Sequence, residues 1–179
     1  MNLIVQPEAG LAPVVRAIKR ARRNVDIAIF RADREEIEKA LGAAVQRGVK
    51  VRVLVAHTNS GGENRLRKLE QRLLEAGATV TRTGDDFVRY HGKFMVADDT
   101  LHLFGFNFTK VDTIKSRSFG VSTRDKSAVR EALALFDAHA RAPSSQTEAV
   151  IAKRRALESR TAGAACGKRR RWSSSSSAR

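Results

Sequence analysis

Strand-like and helix-like segments alternate along the first half of this 179-residue chain. Three segments rich in β-branched residues are separated by two segments whose apolar residues recur at helical spacing. In chain order these are the strand 24–30, a helix from Asp33 to about Gly48, the strand 50–56, the helix 63–76 and the strand 78–83. Asp33-x-x-Glu36 is predicted to form a capping box at the start of the first of these helices. This order predicts parallel strands joined by right-handed crossovers. The sequence therefore predicts an α/β fold, with a mostly parallel mixed sheet flanked by helices.

The segments on either side of this alternating region are predicted to complete one domain. An amphipathic helix with a basic side is expected at about 9–23, and residues 119–123 can add a last strand. Asp125 is placed to cap a final helix that ends near residue 141. We therefore expect a single packed domain at residues 1–141.

The composition changes after this domain. Residues 142–179 are rich in Ser, Arg and Ala, and residues 141–179 carry +8 of the chain's net charge of +15. A segment so polar and charged cannot bury enough apolar surface to order itself. We expect a basic, disordered C-terminal tail, and one hypothesis is that it is a truncated or out-of-frame ending.

The candidate chemistry lies in a predicted two-stranded hairpin at residues 90–110. His91 and Lys93 are two residues apart, so on a strand their side chains point the same way, and Asn107 can return toward them on the second strand. Imidazole, ammonium and carboxamide together suit phosphoryl transfer: Lys and Asn stabilise charged oxygens, while His attacks phosphorus or moves protons. A lone His-x-Lys pair is more often a solvated strand face, so the wider pattern decides.

That pattern is His91-x-Lys93, then Asp98, then Gly105 followed by Asn107 and Thr109. It resembles the HKD signature of the phospholipase D superfamily, and residues 48–54 and 116–121 look like the neighbouring strands of bacterial members. The resemblance covers roughly residues 1–140 and implies one phospholipase D-like half.

The resemblance also implies roles. His91 would be the nucleophile that forms a phosphohistidine, or its acid/base partner, and Asp98 would be a supporting catalytic residue. Lys93, Asn107 and Thr109 would bind the substrate phosphate. Most members read Gly-Ser-x-Asn, whereas this chain reads Gly105-Phe106-Asn107.

A loop at residues 57–63 follows one predicted strand and opens a helix, which is where α/β sheets usually bind ligands. If the segment 90–97 joins the sheet antiparallel, His91 and Lys93 lie near this loop. His57 is therefore a candidate to contact and orient the residues that bind phosphate, without binding phosphate itself. The alternative is that Ser60, with Glu63, only caps the helix, and that Gly61 and Gly62 only allow the chain to turn.

Metals and cofactors are not predicted. The sequence has no Cys/His cluster with ligand spacing, and the pairs Asp85-Asp86 and Asp98-Asp99 are expected to form turns. Cys166 is the only cysteine, so no intrachain disulfide can form. No apolar run approaches the ~20 residues that span a bilayer, so a cytoplasmic protein, in contact with membranes only peripherally, is expected.

A net charge of +15 suits phosphate polyanions without choosing between nucleic acid and anionic lipid. The family resemblance favours a phospholipase D-type phosphodiesterase that hydrolyses phospholipid or transfers phosphatidyl groups. A single imidazole cannot be nucleophile and general acid in the same step, so a homodimer is expected to supply the second motif. The alternatives are a homodimeric endonuclease, or an inactive half that only binds polyanions.

Overall fold

The computed structural model describes residues 1–57, 63–83 and 89–140 of the chain. The strands are β1 (Asn2–Gln6), β2 (Asn24–Ile29), β3 (Lys50–Val55), β4 (Thr79–Arg82), β5 (Phe94–Ala97), β6 (Thr100–Phe104) and β7 (Ser118–Thr123). The α-helices are α1 (Ala12–Arg20), α2 (Glu35–Gln46), α3 (Glu63–Ala76) and α4 (Lys126–His139), with a π-helical turn at Val111–Lys115. The predicted tail, most of the loop after His57, and Asp85-Asp86 lie outside the described residues.

All seven strands form one mixed sheet in the order β1-β7-β6-β5-β2-β3-β4. β2, β3 and β4 are parallel neighbours, whereas β5 runs antiparallel to β2 and continues into an antiparallel β6, β7 and β1. The predicted α/β class and the parallel pairing of the alternating region are confirmed. The antiparallel addition of β5 has a direct consequence, since it brings the start of β5 to the end of β2.

Helices cover both faces of the sheet. On one face, α1, α2 and α3 bury a large core that includes Ile18, Leu41 and Leu73. On the other face, α4 packs Phe136 against Phe94 of β5, with the two rings edge to face and their centroids 6.3 Å apart. The alternation of side chains along each strand feeds these two cores.

The ends of two helices test the capping predictions. The Asp125 carboxylate accepts a hydrogen bond from Ala128 N at 2.8 Å, as expected for an N-cap. The predicted cap at Asp33 is wrong, because α2 starts after Arg34 and has no side-chain cap. Asp33 instead accepts a hydrogen bond from Lys110 N at 2.9 Å, and so ties the start of α2 to the segment after β6.

The first helix is shorter than predicted. Pro13 stands in its first turn, where a missing N–H costs nothing, and Ala21 leaves the helix with φ −57° and ψ 137°. The basic residues at 22 and 23 therefore lie in the connection to β2, and their backbone N–H groups are free to be bound from elsewhere in the fold.

Candidate active site

His91 and Lys93 immediately precede β5 rather than lying within it. Because β5 is antiparallel to β2, with Phe94 opposite Ala28, this segment meets Phe30 at the end of β2. The rings of Phe30 and His91 are edge to face, with centroids 4.7 Å apart. The predicted position of the pair, at the edge where the parallel strands end, is thus the one observed.

Lys93 and His91 contact each other directly. Lys93 Nζ lies 3.1 Å from His91 Nε2 and 3.3 Å from Nδ1, and it donates a hydrogen bond to the His91 carbonyl oxygen at 3.0 Å. An ammonium group can only donate, so a ring nitrogen of His91 that accepts from Lys93 must be the unprotonated one. Lys93 is 9% exposed, while the His91 side chain is open to solvent.

Three cations surround the ring of Phe30. Arg31 and Arg89 each place the guanidinium carbon within 5.5 Å of the ring centroid, and Lys93 Nζ lies 5.5 Å from it. Cations at this distance interact favourably with the negative ring face. The phenyl ring therefore holds like charges together beside an exposed imidazole, and such a cluster attracts a phosphate group.

Burial lowers the pKa of His91, and the positive charges of Lys93, Arg89 and Arg31 lower it further, while Asp112 opposes them. Burial also lowers the pKa of Lys93, and Asp112 partly offsets this. His91 therefore stays neutral, and able to act as a nucleophile, to a lower pH than an ordinary histidine. Asp112 is the only acid that acts on both groups among the described residues.

Asn107 lies at the same end of the sheet, because the next residue hydrogen-bonds to the backbone after β2. Phe108 N donates to Arg31 O at 3.1 Å, and Asp33 N donates to Phe108 O at 3.0 Å. The Asn107 side-chain amide donates to Asp112 Oδ2 at 2.7 Å, while its Oδ1 is buried with no hydrogen-bond partner among the described residues. The predicted phosphate donor is thus already engaged by a carboxylate in this structure.

The glycine that opens this segment has a steric cause. A Cβ at Gly105 would lie 2.6 Å from the carbonyl oxygen of Phe119, and Gly105 N donates to that same oxygen at 2.8 Å. No side chain fits there without moving the backbone. The close approach of β7 therefore requires glycine before Phe106 and Asn107.

Thr109 shapes the turn that carries Asp112. Its hydroxyl accepts a hydrogen bond from Asp112 N at 3.2 Å, and its carbonyl oxygen accepts one from Thr113 Oγ1 at 2.7 Å. In the chain alone, Thr109 therefore stabilises the π-helical turn, and its predicted contact with phosphate stays a prediction. Asp112 was not predicted from the sequence; it stands five residues after Asn107, and an acid at that spacing after the motif was the available signal.

Asp98 lies far from His91, at the opposite end of β5. Its carboxylate accepts hydrogen bonds from the backbone N–H groups of Arg22, Arg23 and Asn24 at 2.9–3.1 Å. Burial raises the pKa of Asp98, but these three hydrogen bonds outweigh it and lower the pKa overall. The structure thus corrects the catalytic role expected for Asp98, since a group at this end of the sheet joins α1 to β2 and does not contact the reacting groups.

The remaining histidines do not complete the pair. His57 exposes its side chain, and its backbone N donates to Thr83 Oγ1 at 2.9 Å. His139 contacts Tyr90, with ring centroids 5.2 Å apart, and His102 lies in β6. Within the described part of the chain, no hydrogen bond or ring contact joins His91 to another histidine. The chain therefore presents one imidazole and its cations, which is half of an acid–base pair.

Two further properties concern the described residues alone. Across residues 1–57, 63–83 and 89–140, no three His, Cys, Asp or Glu side chains are grouped so as to hold a metal ion. Over the same ranges, no helix has the length and apolar character needed to cross a bilayer.

Comparison with known proteins identifies one family. The family described as "Cardiolipin synthase, PLD-like domain" matches residues 14–140. This range includes the whole alternating region, the His91-Lys93 segment and α4. No curated protein matches the chain significantly.

Solved structures share the fold at low sequence identity. A phospholipase D family member, Nuc, from Salmonella typhimurium is 22% identical with a TM-score of 0.69, over 77% of this chain and 91% of that one. NucT from Helicobacter pylori is 21% identical with a TM-score of 0.61, over 77% and 93% of the two chains. TrmBL2, an archaeal chromatin protein, is 15% identical with a TM-score of 0.52, over 76% and 51%.

Proposed function

Because the chain belongs to the phospholipase D-like family through residues 14–140, we propose that it is a phosphodiesterase in which His91 attacks phosphorus. The observation that carries this proposal is the contact between the exposed imidazole of His91 and the buried ammonium of Lys93, 3.1 Å apart. Such a pair combines a nucleophile with a cation for the charge that develops on the phosphate oxygens.

In the first step, a nitrogen of neutral His91 forms a bond to phosphorus, and the bond from phosphorus to the leaving oxygen breaks. Lys93 would stabilise the non-bridging oxygens, and Arg31 and Arg89, which lie around the same Phe30 ring, would add positive charge near them. Asn107 can join these donors if its amide leaves Asp112 when the substrate binds. The product is a phosphohistidine and an alkoxide that needs a proton.

That proton requires a second acid. We propose that two copies of the chain associate so that both His91 side chains face one phosphate. The partner imidazole, in its protonated form, gives its proton to the leaving oxygen and then takes one from the water that attacks the phosphohistidine. An alcohol in place of water gives phosphatidyl transfer. The open position of His91 supports this arrangement, since a buried imidazole could not meet a second copy.

We propose a phospholipid as the first substrate, since the matching family is described as a cardiolipin synthase-like domain. Hydrolysis would release an alcohol and leave a phosphatidic acid. The basic surface would hold the protein peripherally on an anionic membrane.

Nucleic acid is the second candidate. The similar archaeal protein TrmBL2 is a chromatin protein with a novel mode of DNA binding, and nucleic acid offers the same phosphodiester chemistry. Arg31, Arg89 and Lys93 would hold its backbone phosphates as well as those of a lipid.

The substrate is tested with anionic phospholipid vesicles and with plasmid DNA in parallel, each with and without a chelator. His91→Asn serves as the matched inactive control, because it keeps a polar side chain of similar reach. Lipid turnover that the chelator does not affect and His91→Asn abolishes is the expected result. Cleavage of DNA alone would select the second candidate, and DNA retention without product in either assay would leave only a polyanion-binding module.

The shared site is tested by mixing wild-type chains with His91→Asn chains and allowing them to re-associate. If one site needs both imidazoles, activity falls as the square of the wild-type fraction. A linear fall, or full turnover by a monomer, would contradict the shared site while leaving the phosphodiesterase itself intact.

A further inference from the structure

An open cavity of about 740 Å³ lies at the end of the sheet opposite His91. It runs between α1 and the strands β1, β6 and β7. Its polar lining includes Arg16, Arg20, His102, Ser122, Thr123 and Arg124. None of the residues placed in the catalytic cluster lines it, so its contents are independent of the proposed phosphodiesterase site.

His102 is the unusual member of this lining. It is 7% exposed, and neither of its ring nitrogens has a hydrogen-bond partner among the described residues. Its ring lies parallel to that of Phe104, at an interplanar angle of 8° with the ring centroids 6.3 Å apart. Buried polar groups are nearly always hydrogen-bonded, so an imidazole that lines a cavity and has neither nitrogen satisfied points to a ligand.

The register of the sheet sets polar side chains beside it. His102 pairs with Ser122 on β7, which pairs in turn with Asn2 on β1, so the three form one row across the sheet. Farther along the same row, Met95 and Ile27 are apolar and buried. The polar character of the row is therefore confined to the part that the cavity reaches.

The helix above this row supplies positive charge. Arg16 and Arg20 are one turn apart on α1, so they share a face, and both are exposed. Neither makes an ion pair with any carboxylate of the described residues. Arg124 is already held near Asp99, with Arg124 Nε 3.9 Å from Asp99 Oδ1. Asp98 also lines the cavity, but its carboxylate is occupied by three backbone N–H groups.

We propose that this cavity binds a small phosphate monoester of nucleotide size, with the phosphate held by Arg16 and Arg20. A neutral imidazole carries one donor and one acceptor, so His102 suits a ligand that offers both a phosphate oxygen and a hydroxyl or amino group. Inorganic phosphate lacks the additional hydroxyl or amino group that His102 would contact. The cavity volume is in the range of small-molecule sites. Burial, which lowers the pKa of His102 to about 4, keeps the ring neutral for this role.

The test is calorimetric titration of the full chain with adenosine monophosphate, adenosine, inorganic phosphate and a short single-stranded oligonucleotide. Adenosine monophosphate is expected to bind more tightly than adenosine or phosphate. Arg16→Gln with Arg20→Gln should weaken it about tenfold or more, because hydrogen bonds between charged groups contribute at least that much. Lys19→Gln with Arg23→Gln, which removes two charges outside the cavity lining, should leave the affinity within about twofold.

The NMR signals of the His102 ring provide a readout that is specific to this cavity. These signals should shift when adenosine monophosphate is added to His91→Asn protein, in which the catalytic imidazole is absent. His102→Phe, which keeps the ring stacked on Phe104, should lose most of the affinity. If adenosine monophosphate fails to bind, or if the Arg16/Arg20 and the Lys19/Arg23 double variants weaken its binding equally, the proposal is overturned in favour of a non-specific basic surface. Neither result bears on turnover at His91.

Discussion

Asp112 Oδ2 accepts two hydrogen bonds from Asn107, one from the backbone N–H at 2.6 Å and one from the side-chain amide at 2.7 Å. The same carboxylate raises the pKa of both His91 and Lys93 against the effect of burial and of the arginines. One acidic side chain therefore holds the Asn107 carboxamide and also sets the charge balance of His91 and Lys93.

Asp112→Asn should lower the pKa of His91 and of Lys93 together, because it removes the one negative charge that favours their protonated forms. Neutral His91 then persists to lower pH, so the acid limb of kcat/KM moves down. The partner imidazole, which must be protonated to act as the acid, also loses its proton at lower pH, so the alkaline limb moves down as well. A pH–rate profile from pH 4 to 10 measures both, and Asp125→Asn, at the start of α4, is the matched control. If neither limb of the kcat/KM profile shifts in Asp112→Asn, Asp112 acts only through Asn107.

Arg31→Gln and Arg89→Gln should each raise the pKa of His91, because each removes a positive charge that opposes imidazolium formation. The acid limb of kcat/KM should move to higher pH, and phosphate-bearing substrates should bind more weakly at low salt. Direct NMR titration of the His91 ring checks the first effect without turnover. Arg130→Gln on α4 carries the same charge change far from Phe30 and should leave the titration of His91 unchanged.

Asp98→Asn should destabilise the fold by about 1–3 kcal/mol, because a charged acceptor of three backbone N–H groups becomes neutral. Asparagine tolerates the left-handed backbone of this residue, φ 53°, so the loss reports the carboxylate rather than the turn. Urea unfolding at pH 7 measures it, with the exposed neighbour Asp99→Asn as control. Activity of the folded variant should stay close to wild type; a large fall in kcat at unchanged stability would restore a catalytic role for Asp98.

His102 should make the fold sensitive to acid. The pKa of this histidine falls from 6.5 to about 4 on burial, so the unfolded chain binds more protons between these values. This contribution to stability is fully present above pH 6.5 and is lost as the pH falls toward 4, by about 3 kcal/mol at most. The difference between the denaturant midpoints at pH 7 and pH 4.5 should therefore be smaller in His102→Phe than in the wild type. An equal drop in both proteins would assign the acid sensitivity to other groups, such as Asp98.

The sheet was predictable where the chain's own periodicity decides it. The alternation from β2 to β4 and the cap at Asp125 are local patterns, and both are confirmed. The cap at Asp33 was mispredicted because its carboxylate is bound by a residue that is distant in sequence, through the backbone N–H of Lys110. A capping pattern in sequence contains no information about such a competitor.

The catalytic cluster shows the same division. His91 and Lys93 could be paired from their spacing, and their position followed from the antiparallel entry of β5. The motif pattern grouped Asp98 with His91 and Lys93. In the structure β5 lies between them, so Asp98 is at the opposite end of the sheet. Asp112 was missed because a π-helical turn, held by Thr109, brings it back to Asn107. Such a turn has no simple periodic signature.

The central claim is that His91 becomes covalently bound to phosphorus during turnover. Rapid quenching into alkali, in which phosphohistidine survives, followed by mass spectrometry of the peptide that contains residue 91 tests it most directly. The account predicts a phosphorus-containing adduct on His91 that forms and decays within turnover, and a fall in activity of about a thousandfold or more in His91→Asn. Turnover that persists in His91→Asn, or an adduct on another residue of the wild-type chain, would contradict it.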